Sequence, residues 1–140
     1  MIKNFLNKYS DAGILFLRIG IGFAFIFVHG WGKIMGGPEL WSKIGNSMSN
    51  FGITVAPTFW GFMASASEFG GGILLILGLF TRPASAFMAF TMLTAFIMHT
   101  SKLDPWSKAI YPMEMFAVFM GLLFIGAGKY SIDAIISKKN

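Results

Sequence analysis

Residues 57–99 read PTFWGFMASASEFGGGILLILGLFTRPASAFMAFTMLTAFIMH, two long apolar stretches separated only by Phe80-Thr81-Arg82-Pro83. A helix that crosses a bilayer needs about 20 mostly apolar residues, and each stretch is close to that length. Two helices joined by so short a link must run antiparallel, as a hairpin. The segment therefore predicts two neighbouring membrane spans, at about 57–80 and 83–99.

Two further apolar stretches, at about 12–31 and 110–128, complete a set of four predicted spans. Pro57, Pro83 and Pro112 each fall at or just inside a predicted helix start, where the missing N–H costs nothing. No proline lies in the middle of a predicted span. The positions of the prolines therefore support the predicted helix boundaries.

The composition independently indicates a membrane protein. Of the 140 residues, 55% are hydrophobic and 12% are charged, whereas a soluble domain carries roughly 25% charged residues. Too little polar surface remains to cover a water-soluble particle, so the lipid bilayer must cover the rest. The apolar stretch from Gly13 to Trp31 is too long for a signal peptide, which predicts a retained first span. We expect an all-α, polytopic membrane four-helix bundle, forming a single integral membrane domain over residues 1–140.

The first loop, residues 32–56, has a pattern of its own. The run Gly36-Gly37-Pro38-Glu39 is typical of a turn followed by a helix start. Apolar residues then recur at helical spacing, at Leu40, Ile44, Met48 and Phe51. This pattern favours a short amphipathic helix lying in the membrane interface, and the alternative is an ordinary structured loop.

The basic residues predict the orientation and argue against nucleic acid. The net charge is +5, but the basic residues are spread along the chain and form no nucleic-acid stripe. With both termini on one side, six basic residues share that side and four lie opposite. The larger set favours cytoplasmic N- and C-termini. The six are Lys3, Lys8, Arg82, Lys129, Lys138 and Lys139, and the four are Lys33, Lys43, Lys102 and Lys108.

Arg18, Glu68 and Glu114 are charged residues within the predicted spans. Such groups cost several kcal/mol in hydrocarbon unless they are paired, so they usually face the bundle interior. Because the first two spans run antiparallel, we expect Arg18 and Glu68 to form an ion pair. The pair is interpreted either as a pin between the helices or as a polar anchor lining a ligand cavity.

A second group of ionisable residues lies toward the outer side of the membrane, opposite the two termini. The group consists of His29, Lys33, His99 and Glu114. Two imidazoles and a carboxylate can bind a metal, relay protons or hydrogen-bond the carbonyls of a quinone. No His-x-x-His or Glu-x-x-His spacing supports a metal site, so we predict none. The competing interpretation is that each histidine is an interface residue bonded to backbone or water.

The chain has no cysteine, which excludes disulfides, thiolate nucleophiles and Cys-ligated metals. No Walker loop, Rossmann fingerprint, nucleophile elbow or zinc signature is present either. In any redox chemistry, electrons must therefore pass through a quinone, a flavin, a haem or a partner chain. The catalytic residues and the cofactor remain open at this point.

Three segments together resemble the DoxX family of small four-helix membrane proteins. They are Arg18-Ile-Gly-Ile-Gly with His29-Gly-Trp-Gly-Lys33, the run from Glu68 to Ala84, and Gly126-Ala-Gly-Lys-Tyr-Ser-Ile-Asp133. The likeness extends over nearly the whole chain. The polar intramembrane positions of the family correspond here to Arg18, His29, Lys33, Glu68, Arg82 and His99.

The resemblance implies association with membrane oxidoreductases, because family members include a subunit of thiosulfate:quinone oxidoreductase. We therefore expect an inner-membrane protein of a bacterium that serves an oxidoreductase system. Its pocket, formed by Arg18, His29, Lys33, Glu68, His99 and Glu114, would hold a quinone or a similar small lipid. Expected partners are an oxidoreductase subunit or further copies of the chain. The alternative is a non-enzymatic scaffold or small transporter whose charges lock the helices or line a path.

Overall fold

The computed structural model describes residues 2–138, with side chains from Tyr9 onward. Lys139 lies outside the described residues, as do the side chains of Lys3 and Lys8. Within this part of the chain the protein is all-helical and has no strand. The helices are α1 (Ile2–Ala24), α2 (Trp31–Ile34), α3 (Gly37–Gly45), α4 (Pro57–Leu77), α5 (Thr81–Ser101), α6 (Trp106–Ile125) and α7 (Ile132–Ser137). A π-helical turn, Phe25–Gly30, joins α1 to α2, and a 3₁₀ helix, Asn46–Phe51, follows α3.

The four predicted spans are confirmed, with different boundaries. Helices long and apolar enough to cross a membrane cover Tyr9–Ile34, Pro57–Leu77, Thr81–Ser101 and Trp106–Ile125. The third span is therefore longer than predicted, and the fourth begins earlier. As a consequence Pro112 lies inside α6 rather than at its start, so the expectation that Pro112 marks a helix start is wrong.

The start of α5 is fixed from outside the helix. Both carboxylate oxygens of Asp133 accept backbone hydrogen bonds, from Phe80 N at 2.8 Å and from Thr81 N at 3.0 Å. These donors have no partner within a helix that begins here, so an acceptor from α7 takes the place of a local cap. Since such a long-range contact has no local sequence signal, the prediction placed the start two residues late.

α1 packs antiparallel to α4 at very short range, because glycines face each other across the contact. A Cβ atom added to Gly22 would lie 2.6 Å from the carbonyl oxygen of Gly72, and one added to Gly72 would lie 2.8 Å from that of Gly22. Eight residues after Gly22, Gly30 lies directly against the backbone of Phe69. Small residues at such positions let membrane helices approach closely. These contacts fix the register of α1 and α2 against α4.

The predicted helix in the first loop is present as α3, and it packs against the beginning of α4. Gly45 lies against the carbonyl group of Pro57, and Gly61 lies against the backbone of Trp41. A hydrogen bond of 2.6 Å joins the hydroxyls of Ser42 and Thr58. The first loop is therefore held firmly over one end of α4, where it covers the cavity described below.

The interior of the bundle is narrow, and much of its outer surface is apolar. The core consists of Phe25, Leu75, Met88, Ala89, Met92, Phe119 and Leu122. Phe25 and Phe119 meet edge to face, with ring centroids 5.1 Å apart, which joins the π-helical turn to α6. Outside, large apolar side chains such as Phe16, Phe87 and Phe124 are exposed. A lipid-covered bundle is expected to show this distribution, because lipid rather than water solvates the surface.

Candidate functional site

A cavity of about 390 Å³ lies between α4 and α5, beneath the 3₁₀ helix of the first loop. Its apolar walls come from side chains of both helices, among them Met63, Ala64, Phe87, Phe90 and Ala95. The polar residues that line it are Lys33, Ser47, Ser67, Glu68, Thr91, Thr94 and His99. Three of the predicted site residues, Lys33, Glu68 and His99, therefore share one cavity.

Glu68 is paired with Lys33 within this cavity. Lys33 Nζ donates to both carboxylate oxygens, at 2.8 Å and 2.6 Å. The Glu68 side chain is only 3% exposed, whereas that of Lys33 is 38% exposed. Burying a carboxylate in the membrane is costly unless a cation and hydrogen bonds compensate it, and Lys33 supplies both.

The predicted pair between Arg18 and Glu68 is wrong. Arg18 is fully buried, and its guanidinium donates to the carbonyl oxygens of Leu75, at 3.1 Å, and of Tyr130. In the register set by the glycines, Arg18 faces the end of α4. Glu68 lies seven residues from Leu75, which is about 10 Å along a helix. Arg18 thus joins α1, α4 and the segment before α7, and it does not line the cavity.

His99 forms a close pair with Asp104, a residue that the sequence did not single out. His99 Nδ1 lies 2.7 Å from Asp104 Oδ2, and the backbone N–H of Asp104 donates to the carbonyl oxygen of His99 at 3.0 Å. The hydrogen bond to His99 lowers the pKa of Asp104, and the nearby Lys108 and Lys102 contribute to the same direction. The imidazole at the cavity wall is therefore oriented by a carboxylate outside it.

His29 lies elsewhere, against α6. Its Nε2 atom is 2.9 Å from the hydroxyl of Tyr111, and the two rings stack with centroids 5.1 Å apart. His29 belongs to the π-helical turn, and such turns occur frequently at functional sites. It does not line the cavity. Its partner is thus a tyrosine side chain, whereas the competing interpretation expected backbone or water.

Glu114 and Arg82 also lie away from the cavity. Glu114 is exposed near the middle of α6 and is not grouped with His99 or Lys33. Arg82 is exposed at the beginning of α5, where its Nη2 atom donates to the carbonyl oxygen of Phe124 at 3.4 Å. The predicted outer group of ionisable residues is therefore divided: Lys33 and His99 line the cavity, whereas His29 and Glu114 do not.

The arrangement offers a ligand two different polar groups in an apolar space. The Lys33–Glu68 pair provides an ammonium donor and carboxylate acceptors, and the imidazole of His99 provides a ring nitrogen. Also in the cavity wall, the hydroxyl of Thr91 donates to Phe87 O at 3.0 Å and lies 3.2 Å from the hydroxyl of Ser67. An apolar cavity with a few converging polar groups is the usual form of a small-molecule site.

Comparison with known proteins confirms the resemblance seen in the sequence. The model of the DoxX family matches residues 13–101. The chain is similar to "Inner membrane protein YqjF" of Escherichia coli (strain K12), with 33% identity over 138 residues, 96% of this chain and 99% of that protein. It is also similar to "Putative oxidoreductase CatD" of Bacillus subtilis (strain 168), with 28% identity over 133 residues, 95% of this chain and 93% of that protein. No solved structure matches the chain significantly.

Proposed function

The chain belongs to the DoxX family of membrane proteins, and from this premise we propose that it is a membrane subunit of an oxidoreductase system that binds a quinone or a similar small lipid. The cavity between α4 and α5 is the binding site in this proposal. Lys33, Glu68 and His99 contact the polar head of the ligand, and the apolar walls contact its ring and tail. Arg18 stabilises the bundle and does not touch the ligand.

The observation that carries the proposal is the combination of one apolar cavity with two separate polar groups. Lys33–Glu68 and His99 line the same space, and most of the remaining lining residues are apolar, with four Ser and Thr residues among them. A quinone head has an apolar ring with an oxygen at each end, so it requires hydrogen-bonding groups at two places and apolar contact between them. The volume of about 390 Å³ lies within the range of small-molecule sites.

The position of the cavity within the spans supports a lipid-soluble ligand. Phe87 and Phe90 line it and are also exposed on the outer surface of α5. These two side chains therefore separate the cavity from the surrounding lipid. Aromatic side chains change rotamer without disturbing the helix backbone, so a ligand dissolved in the bilayer can enter between the helices.

The name of the CatD protein supports the oxidoreductase part of the proposal, and that of the YqjF protein supports an inner-membrane location. Because the chain has no cysteine, its own part in such a system is to hold the electron carrier. We place both termini in the cytoplasm, following the basic residues. A partner subunit, or another copy of the chain, completes the system.

The alternative function, a scaffold or small transporter, is supported by Arg18. This residue is fully buried, and in the described part of the chain its hydrogen bonds go to backbone carbonyls of other segments, so it holds helices together. In this alternative, the Lys33–Glu68 pair also only holds helices together, and the cavity binds no ligand. The two functions therefore differ in one measurable property, which is the occupancy of the cavity.

Two measurements on the detergent-purified full chain test this property. Organic extraction followed by mass spectrometry is expected to recover quinone in stoichiometric amount. Added short-chain ubiquinone or menaquinone analogues are expected to raise the thermal unfolding midpoint. If no quinone is extracted and neither analogue changes the midpoint, the chain does not bind quinones and the scaffold function stands.

Glu68→Gln and Glu114→Gln form a matched pair of variants for the thermal measurement. The chemical change is identical, but Glu68 lines the cavity and Glu114 is exposed on α6. We expect the ligand-induced shift to be lost in Glu68→Gln and kept in Glu114→Gln. Equal loss in both variants would contradict the assignment of the site to this cavity.

A further inference from the structure

The turn after α5 holds an acidic side chain against the cavity's histidine by an unusual backbone conformation. Leu103 has a φ of +55°, in the left-handed region that non-glycine residues rarely adopt. Its own side chain is 91% exposed, so no packing of Leu103 explains the conformation. The conformation is that of the common left-handed helix C-cap, in which backbone N–H groups beyond the helix bond to its last carbonyl groups.

The conformation of Leu103 turns the chain so that Asp104 lies beside the last turn of α5. The N–H of Leu103 donates to Thr100 O at 3.1 Å, and that of Asp104 donates to His99 O at 3.0 Å. The carboxylate then reaches the ring of His99, with Oδ2 at 2.7 Å from Nδ1. Two independent bonds thus join the same two residues, one through the backbone and one through the side chains.

We propose that Asp104 is a positioning residue, which holds the imidazole of His99 in the form that carries its proton on Nδ1 and leaves Nε2 for a ligand in the cavity. This inference rests on the proposed function, because it assigns a role within the same site. Asp104 itself does not line the cavity. Its effect on a ligand therefore passes through His99.

The chemistry of the two side chains supports this assignment. An ionised carboxylate can only accept hydrogen bonds, so the Nδ1 atom beside it must carry the proton. The lowered pKa of Asp104 keeps that carboxylate ionised. In the neutral imidazole the second nitrogen, Nε2, is then an acceptor. A histidine fixed by a carboxylate is the general way in which proteins select one tautomer.

The tautomer determines the class of ligand head that the site prefers. Nε2 as an acceptor favours a ligand that presents a hydroxyl hydrogen, whereas Lys33 at the other polar group donates to a ligand oxygen. A small ring with at least one hydroxyl, such as a quinol or another phenol, satisfies both. A quinone, which has carbonyl oxygens alone, can accept from Lys33 but meets no donor at Nε2, so the site is expected to bind the quinol form more tightly than the quinone.

The tautomer can be measured without any ligand. The chain has only two histidines, His29 and His99, so the ¹⁵N spectrum of histidine-labelled protein in micelles contains two rings. The His29→Asn variant assigns the signals. At alkaline pH we expect His99 to show a protonated Nδ1 and an unprotonated Nε2. A protonated Nε2 in the wild-type chain would overturn the inference.

Two substitutions separate positioning from general structural effects. Asp104→Ala removes the acceptor, and we expect His99 to lose its preference for the Nδ1 proton. Asp104→Asn keeps a carbonyl oxygen at the same place and is expected to retain it. If both variants keep the wild-type tautomer, the carboxylate does not position the ring and the inference fails.

A binding experiment then connects the tautomer to the ligand. A water-soluble quinol analogue is titrated into the wild-type chain, Asp104→Ala and the control Glu39→Ala, whose carboxylate is exposed on α3. We expect about a tenfold weaker affinity for Asp104→Ala, the effect of one hydrogen bond, and no change for the control. Unchanged affinity for Asp104→Ala would contradict the inference. Absence of binding to the wild-type chain would instead contradict the proposed function, while the tautomer measurement would still test the role of Asp104.

Discussion

Lys33 Nζ lies within hydrogen-bonding distance of both carboxylate oxygens of Glu68, at 2.8 and 2.6 Å, and this pair joins α2 to the middle of α4. Both oxygens of a carboxylate that is 3% exposed are satisfied by a single ammonium group. The same ammonium lines the cavity and is itself partly exposed. The pair therefore has a buried member, which needs a partner, and an accessible member, which a ligand can reach.

The first prediction follows from this asymmetry. Lys33→Met keeps the length of the side chain but leaves Glu68 buried without a cation. We expect the free energy of unfolding to fall by about 2–3 kcal/mol, because an unpaired buried carboxylate retains its full desolvation cost. Thermal or denaturant unfolding in micelles, followed by circular dichroism, measures the change.

The double variant Lys33→Met/Glu68→Gln is the control for this prediction. It removes both charges, so no unpaired ion remains in the membrane. We expect it to be more stable than Lys33→Met alone. A double variant whose loss equals the sum of the two single losses would show that the side chains do not interact.

The helices of the bundle could be predicted from the sequence, but the charge pairing could not. Four long apolar stretches and the short link at Phe80–Pro83 suffice to predict four spans and a hairpin. The partner of Glu68 depends instead on how far α1 slides along α4. That register is set by backbone contacts such as Gly22 with Gly72, and several registers of a glycine-rich interface look alike in a single sequence. The prediction therefore paired Glu68 with Arg18 and left Lys33 in the outer group.

The candidate site was predictable only in part, for a similar reason. Glu68, Lys33 and His99 were candidates because ionisable residues are rare in apolar stretches. Asp104 lies in a polar loop, where an acid is ordinary, and its contact with His99 depends on the φ of Leu103. Tyr111 meets His29 across 82 residues of chain. Neither contact has a local pattern from which it could be recognised.

The second prediction concerns the space around Arg18. Gly78 has a φ of +63°, and a Cβ atom there would collide with Nη1 of Arg18 and lie 2.5 Å from Cβ of Ser131. We expect Gly78→Ala to lower the free energy of unfolding by about 2–4 kcal/mol, because left-handed strain adds to displacement of a buried guanidinium. Unfolding in micelles measures the loss.

Gly20→Ala is the control, since nothing lies within 4 Å of its Cβ position. Equal effects of the two variants would contradict the close packing.

The third prediction concerns pH and Asp104. Because the hydrogen bond to His99 lowers the pKa of Asp104 in the folded chain, the unfolded chain binds this proton more tightly. The interaction therefore stabilises the fold above the ordinary pKa of an aspartate, and this contribution is lost as the pH falls through the lowered value. We expect Asp104→Asn to unfold at a lower temperature than the wild type at pH 7. The difference should shrink as the pH falls below the ordinary pKa of an aspartate, and it should disappear once the pH is below the lowered value of the folded chain. A constant difference over this pH range would mean that the ionised carboxylate makes no specific contribution.

The fourth prediction tests the cavity by filling it. Ala95 lines the cavity, whereas Ala86 is exposed on the same helix and does not line it. Since the cavity holds about 390 Å³, the ring of Ala95→Phe fits inside and occupies the space of a ligand. We expect this variant to fold with the wild-type helix content and to lose the thermal shift caused by quinone analogues. Ala86→Phe adds the same ring on the lipid-facing side and is expected to keep the shift. A shift of wild-type size in Ala95→Phe would mean that the ligand does not contact this wall of the cavity.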